Sequence, residues 1–165
     1  MMFNKQRVVW LVVAIVIVAL DQWTKFLASS KLSYGVPIEI LPVFNLTLQH
    51  NTGAAFSFLA DAGGWQRWFF TAVSIIVSVV LLLWLCRLKP TERLIAASLS
   101  FILGGAIGNL WDRFELGYVV DFISVHYQSW YFPAFNIADS AITIGAGLMI
   151  LDMVMNADKK SDDGV

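Results

Sequence analysis

The residues best equipped for chemistry in this chain are two aspartates, Asp121 and Asp139, at either end of one loop between apolar runs. Asp121 stands in an apolar setting, Val119-Val-Asp-Phe-Ile123, with no local partner for its charge. Asp139 follows Asn136 by the spacing of an approximate capping box, at a helix start just after Pro133. A helix start favours charge on Asp139, while apolar surroundings oppose it. The intervening loop is long enough to return one aspartate to the other. Two carboxylates meeting at a water-accessible, low-dielectric boundary cannot both ionise easily, so they share one proton. In that state the ionised member takes a proton from water and the protonated member polarises a carbonyl, as in an aspartic protease dyad. Spacing alone leaves a second reading open, in which the acids carry a proton or an ion.

Other polar residues stand where apolar ones dominate. Asp21 and Lys25 lie four apart, hence on one helical face, and are expected to form a structural ion pair. Asn109 and Arg113 also share a face, with Asp112 one step away. They can anchor a helix end at an interface, or offer donors to a substrate carbonyl and to a carboxylate, as Asn136 also can. Gly104, Gly105 and Gly108 just before them point to close helix packing rather than to a phosphate loop. Cys86 is the only cysteine and His50 and His126 the only histidines, so neither a disulfide framework nor a metal site is expected, and no cofactor.

The elements that must position these groups follow from composition. A chain that is 58% hydrophobic and 14% charged, with a mean hydropathy of +0.70, lies outside the soluble class. A net charge of −1 offers no basic face for nucleic acid. Four runs reach the roughly twenty residues that a bilayer requires, at about 8–28, 68–86, 94–111 and 137–155. The expected fold is therefore an all-α membrane protein of four transmembrane helices, one integral domain over 1–158 with a polar, unstructured tail at 159–165. Lys5, Arg7, Arg87, Lys89, Arg93, Lys159 and Lys160 fall on one side, against Lys31, Arg67 and Arg113 on the other. That bias makes both termini cytoplasmic and places the dyad at the outer face. Lys5 and Arg7 before an apolar run, with Ala28-Ser-Ser30 after it, also fit a cleaved signal peptide, whose removal would leave the other spans unchanged.

Between spans one and two, Phe44-Asn-Leu-Thr-Leu-Gln-His50 alternates with period two and is predicted to be a half-buried strand on the membrane surface, placed to cover the site. Gly53 then permits a tight turn. Trp65, Trp68, Phe69 and Phe70, after Asp61-Ala-Gly-Gly64, suit the headgroup level, and a short interfacial helix is expected there. The segment from Asp112 to Asn136 carries Tyr118, His126, Tyr127, Trp130 and Tyr131 and belongs at the same level.

Four local sequences sharpen the assignment. Asn51-Thr-Gly-Ala-Ala-Phe56, Gly108-Asn-Leu-Trp-Asp-Arg113, Val119-Val-Asp-Phe122 and Phe135-Asn-Ile-Ala-Asp-Ser140 resemble the signature blocks of the bacterial lipoprotein signal peptidases, or signal peptidase II. With Asp21 and Lys25 the resemblance runs from about Val8 to Met155, and Trp111 falls at a variable position of its block. The resemblance implies an aspartic endopeptidase of the bacterial inner membrane that cuts prolipoproteins just before a diacylglyceryl-modified cysteine. It implies that Asp121 and Asp139 are the catalytic pair and that Asn51, Gly53, Asn109, Arg113 and Asn136 bind substrate or support the site. Prolipoproteins and membrane lipids are the expected partners, and the chain is expected to act as a monomer. Two rivals explain less. A proton-coupled transporter should place its acids near the bilayer midplane, often in repeated halves, whereas both lie at one face here. A lipid-binding scaffold would account for the interfacial aromatics but not for the paired acids.

Overall fold

A chain with this many apolar runs must satisfy its backbone polar groups within each span, and in lipid a helix does so without a partner. The computed structural model describes residues 5–53 and 64–162 and has four such helices, α1 (Lys5–Lys31), α2 (Trp65–Arg87), α3 (Arg93–Glu115) and α4 (Ile137–Asp162). The shortest have 23 residues, about 35 Å of helix at 1.5 Å per residue, enough to cross a hydrocarbon core of about 30 Å. Each therefore runs past the apolar stretch read from sequence. α4 continues to Asp162, into the stretch expected to be an unstructured tail.

α3 is the central helix, packed against the other three. Its glycines explain how. A methyl group added to Gly104 would lie 2.8 Å from Ile17 Cβ and 2.9 Å from the Ala14 carbonyl oxygen of α1. One added to Gly105 would meet the Ala138 backbone and Ile142 of α4, and one added to Gly108 would meet the Asp21 carboxylate. The glycines thus serve close packing, as expected. Gly145 of α4 returns the arrangement: it lies against Ser98 and Ile102, and Ser98 Oγ donates to its carbonyl at 2.7 Å. An apolar cluster of Leu81 and Leu85 from α2, Ile95, Leu99 and Leu103 from α3 and Ala14 from α1 packs these three helices together.

A four-stranded antiparallel sheet lies at the end where α1 and α3 finish and α4 begins. Its strands are β1 (Ile38–Leu41), β2 (Phe44–Asn51), β3 (Val119–Tyr127) and β4 (Trp130–Tyr131), hydrogen-bonded in that order. β2 is the strand expected from alternation. β3 breaks that rule because Val119 to Phe122, Asp121 included, are all buried, so neither face of its first half is exposed and no period-two burial pattern is visible. Between β2 and β3, Asn51 pairs with Val119 and Gln49 with Asp121, and the register shifts between Leu46 and Gln49. The short interfacial helix expected near Asp61–Gly64 falls largely outside the described residues. Trp65, Trp68, Phe69 and Phe70 form the first turns of α2 itself, with Phe69 edge-on to both Trp65 and Phe70.

Candidate active site

The sheet and the helix ends converge on the two aspartates. Asp121 is carried by β3 and Asp139 by the first turn of α4, so one element of each kind presents a carboxylate to the same point. The capping box is real and reciprocal. Asn136 Oδ1 accepts the Asp139 N–H at 2.9 Å, and Asp139 Oδ2 accepts the Asn136 N–H at 3.3 Å. The cap does not consume the carboxylate, because Asp139 Oδ1 accepts a second bond, from Asn109 Nδ2 at 2.8 Å.

Asn136, wholly buried, joins the two acids. Its Nδ2 donates to Asp121 Oδ1 at 2.7 Å and also lies 3.2 Å from both Asn109 Oδ1 and the Val120 carbonyl. Asn51, at the end of β2, donates from Nδ2 to the other Asp121 oxygen at 3.1 Å. Its own Oδ1 accepts the Gly53 N–H at 3.0 Å, which turns the chain at the position where a tight turn is expected. Arg113 Nη2 holds the Gly53 carbonyl at 3.2 Å, and its guanidinium sits 5.6 Å from the centre of the Phe70 ring. All seven residues named above for the site and its support, Asp121, Asp139, Asn51, Gly53, Asn109, Arg113 and Asn136, therefore belong to one hydrogen-bonded cluster.

Burial and hydrogen bonding set the environment of each acid. Asp121 is 3% exposed, and burial, followed by the neighbouring Asp139 charge, pushes its carboxyl up from 3.8 to about 7 against the opposing bonds from Asn51 and Asn136. Asp139 receives Asn109 Nδ2 and a backbone N–H at a helix N-terminus, groups that stabilise the ionised form. A cavity of about 690 Å³ opens from Asn109, Arg113 and Asp139 between α2, α3 and α4, lined by Val73, Val77, Ile102, Ala106 and Ile142. The site is thus polar at its head and apolar along its length.

The expected pair of Asp21 and Lys25 is present, with Lys25 Nζ 2.8 Å from Asp21 Oδ2. Sequence reasoning missed that Asp112 is a third member, 2.9 Å from the same ammonium, and that Gln22 Nε2 donates to Asp112 Oδ1 at 2.8 Å. The signal for Asp112 was available, since it shares α3's inner face with Asn109 three residues earlier. The histidines are elsewhere: His50 is stacked on Tyr118 with ring centres 4.0 Å apart and His126 on Tyr131 at 4.8 Å. Among the described residues no three His, Cys, Asp or Glu side chains gather to hold a metal ion.

Four membrane-length helices under a small sheet, with a buried polar site at their junction, define a multi-pass membrane protein. The same architecture is found in a solved chain described as "Bacterial membrane enzyme structure by the in meso method at 2.3 A resolution", with a TM-score of 0.83 at 32% identity over 92% of this chain and 91% of that one. A second such structure, at 1.9 Å, gives a TM-score of 0.76. Residues 13–155 match the family model described as Signal peptidase (SPase) II. The lipoprotein signal peptidase of Ectopseudomonas mendocina is 56% identical over 156 residues, covering 93% of this chain and 92% of that protein. That of Acinetobacter baylyi is 53% identical over 150 residues, covering 91% and 84%. The chain belongs to the signal peptidase II family and is a protease.

Proposed function

We propose that this protein removes signal peptides from prolipoproteins, cutting just before the diacylglyceryl-modified cysteine, with Asp121 and Asp139 activating the attacking water. The observation that carries this reading is the bridge through Asn136: its side-chain Nδ2 donates to the Asp121 carboxylate and its backbone N–H to the Asp139 carboxylate, and each acid has one further amide donor, Asn51 or Asn109. Such a setting favours a dyad holding one proton, and the raised Asp121 carboxyl is the member that keeps it. Ionised Asp139 takes a proton from a water lying between the carboxylates as its oxygen attacks the scissile carbonyl carbon. Asp121 gives its proton to the carbonyl oxygen. As the tetrahedral intermediate collapses, the C–N bond breaks and the proton held on Asp139 passes to the departing cysteine nitrogen. The diol proton returns to Asp121, and one water has been consumed.

The cavity below the dyad suits the substrate's apolar parts. Two acyl chains stabilise a peptide in a bilayer by about 0.8 kcal/mol per buried methylene, which fixes the cysteine at headgroup depth. The signal helix is the other anchor, and the extended link between them lies across the acids in near-attack geometry. The charge bias supports cytoplasmic termini and a site at the opposite face, and family membership supports the bacterial inner membrane as that membrane and the periplasm as that side; the protein works there as a monomer among lipids.

Incubating purified enzyme with a lipidated precursor tests the assignment. Asp121→Asn and Asp139→Asn each abolish cleavage while melting within a few degrees of the parent, and a precursor lacking the diacylglyceryl group is cut far more slowly. Near-parent turnover by either mutant would remove the dyad, and equal rates with and without lipid would leave only a general membrane protease. A cysteine placed at Tyr127, with Cys86 replaced, is labelled in intact cells by an impermeant reagent. Its protection would invert the orientation.

A further inference from the structure

Lys25 is 3% exposed, and an ammonium has three N–H bonds to place. It has three acceptors in reach: Asp21 Oδ2 at 2.8 Å, Asp112 Oδ2 at 2.9 Å and Asn109 Oδ1 at 2.9 Å. The two carboxylates do more than neutralise it. Asp112 Oδ2 also accepts the N–H of Val120, the residue before Asp121, at 3.0 Å. Asp21 Oδ1 accepts the N–H of Ala138, the residue before Asp139, at 2.9 Å. One buried cation therefore holds two anions, each clamping the backbone immediately ahead of one dyad member.

The third bond has a chemical consequence. The Asn109 carboxamide lies between a group that can only donate, the Lys25 ammonium, and one that when ionised can only accept, the Asp139 carboxylate. That polarity permits one orientation, with Oδ1 toward Lys25 and Nδ2 toward Asp139. A flipped amide would set oxygen against a carboxylate and NH₂ against an ammonium. Asn136 Nδ2, also on Asn109 Oδ1, reinforces the same orientation and carries it to Asp121.

Resting on the dyad reading above, we infer that Lys25 is a positioning residue for catalysis, orienting the Asn109 amide toward Asp139 while Asp21 and Asp112 hold the backbone at both acids. Its effect is on the chemical step rather than on substrate affinity.

Removing Lys25 alone would strand two buried carboxylates, so the informative variant removes all the charge: Asp21→Asn, Lys25→Met and Asp112→Asn together. Each new amide oxygen still accepts the Val120 or Ala138 N–H, leaving the Lys25 to Asn109 bond as the principal loss. Cleavage of the lipidated precursor is measured for the parent, this variant, Asn109→Ala and their combination, with melting followed in the same detergent. The expected result is a kcat lowered about tenfold to a hundredfold at unchanged KM in the charge-free variant. A similar loss is expected in Asn109→Ala and less than about threefold further loss in the combination, since residues acting through one interaction are not additive. Losses that multiply, a raised KM at parent kcat, or no loss would overturn the inference. If the charge-free variant does not fold, the cycle is run with Lys25→Arg, which keeps the charge and displaces the donor. Multiplying losses or none would overturn it there too. Because Asp121→Asn and Asp139→Asn are assayed alongside, failure of this coupling with both still inactive breaks only the role of Lys25. Activity in either breaks the dyad itself.

Discussion

α2 and α3 are adjacent helices of equal length, and they use their residues in opposite ways. α2 is the most apolar of the four helices, yet only 17% of its most apolar stretch is buried, with Ile75, Ile76, Val79 and Val80 turned outward. The corresponding stretch of α3 is less apolar and 56% buried, and its inner face carries Ser98, Ser100, three glycines, Asn109 and Asp112. In water, burial tracks hydrophobicity. In a bilayer the lipid is as apolar as leucine, so the interior goes to small residues that let backbones approach and to polar groups that must find each other. This protein should therefore tolerate change least in its small and polar interior and most on its lipid-facing apolar surface.

The largest effect on stability is expected at the charged centre. Lys25→Met without compensating changes leaves Asp21 and Asp112 buried without their cation, which costs about 3–5 kcal/mol for a broken buried pair. Thermal melting in detergent should show the loss, and restoring neutrality with Asp21→Asn and Asp112→Asn should recover most of it. A parent-like melting temperature for Lys25→Met would mean that the network is not what holds α1 to α3.

Packing on α3 comes next. Gly105→Ala puts a methyl group against the Ala138 backbone, which cannot retreat without moving the start of α4 and Asp139 with it. Overpacking of this kind costs about 1–3 kcal/mol, and activity should fall further than melting alone accounts for. An alanine accommodated with full activity would show that α3 and α4 are less closely fitted than their geometry implies.

Much of this contrast is legible in the sequence. The four apolar runs, the Asn136–Asp139 box, the Asp21–Lys25 pair and the packing glycines each depend on residues near one another in sequence, where helical spacing is informative. β2 was visible because apolar and polar residues alternate along it, although Asn45 and Thr47 of the polar side are buried rather than exposed. β3 was not, because its first residues are buried on both faces, and β1 and β4 are too short to show a pattern. Asp112 was noticed without a role, since both its partners are remote: Lys25 is on another helix and the Val120 N–H on a strand. Gln22 and Gly145 went unseen for the same reason, as each is defined by a neighbour on a different helix.

The pH dependence probes the boundary between interior and water. Folding raises the Asp121 carboxyl from 3.8 to about 7, so between these values the folded protein holds a proton that the unfolded chain has released. This group's contribution therefore makes stability decline as pH rises through that interval, and the decline stops above it. In the mechanism proposed above, the same proton is the one donated to the scissile carbonyl. kcat/KM should accordingly fall about tenfold per unit as pH rises beyond about 7, a slope of about 1.4 kcal/mol per unit. A profile flat to pH 9 would remove Asp121 as the proton donor.

The smallest effects are expected on α2, where one helix has two kinds of apolar face. Ile76 points outward and is 62% exposed, whereas Val77 lines the cavity that runs down from Asn109 and Asp139. Hydrophobicity does not distinguish the two positions, but shape does. A tryptophan at Ile76 displaces only lipid, so melting should shift by less than about 0.5 kcal/mol equivalent and turnover should be unchanged. A tryptophan at Val77 narrows the cavity without touching the dyad. It should raise KM for the lipidated precursor about fivefold at constant kcat, close to 1 kcal/mol by the same conversion. The unlipidated precursor, already poorly held, should be affected less. Matched kinetics on the two variants with both precursors make the comparison direct. If Ile76→Trp impairs cleavage as much as Val77→Trp, the substrate crosses the outer face of α2 instead, and the cavity between α2, α3 and α4 is not its path.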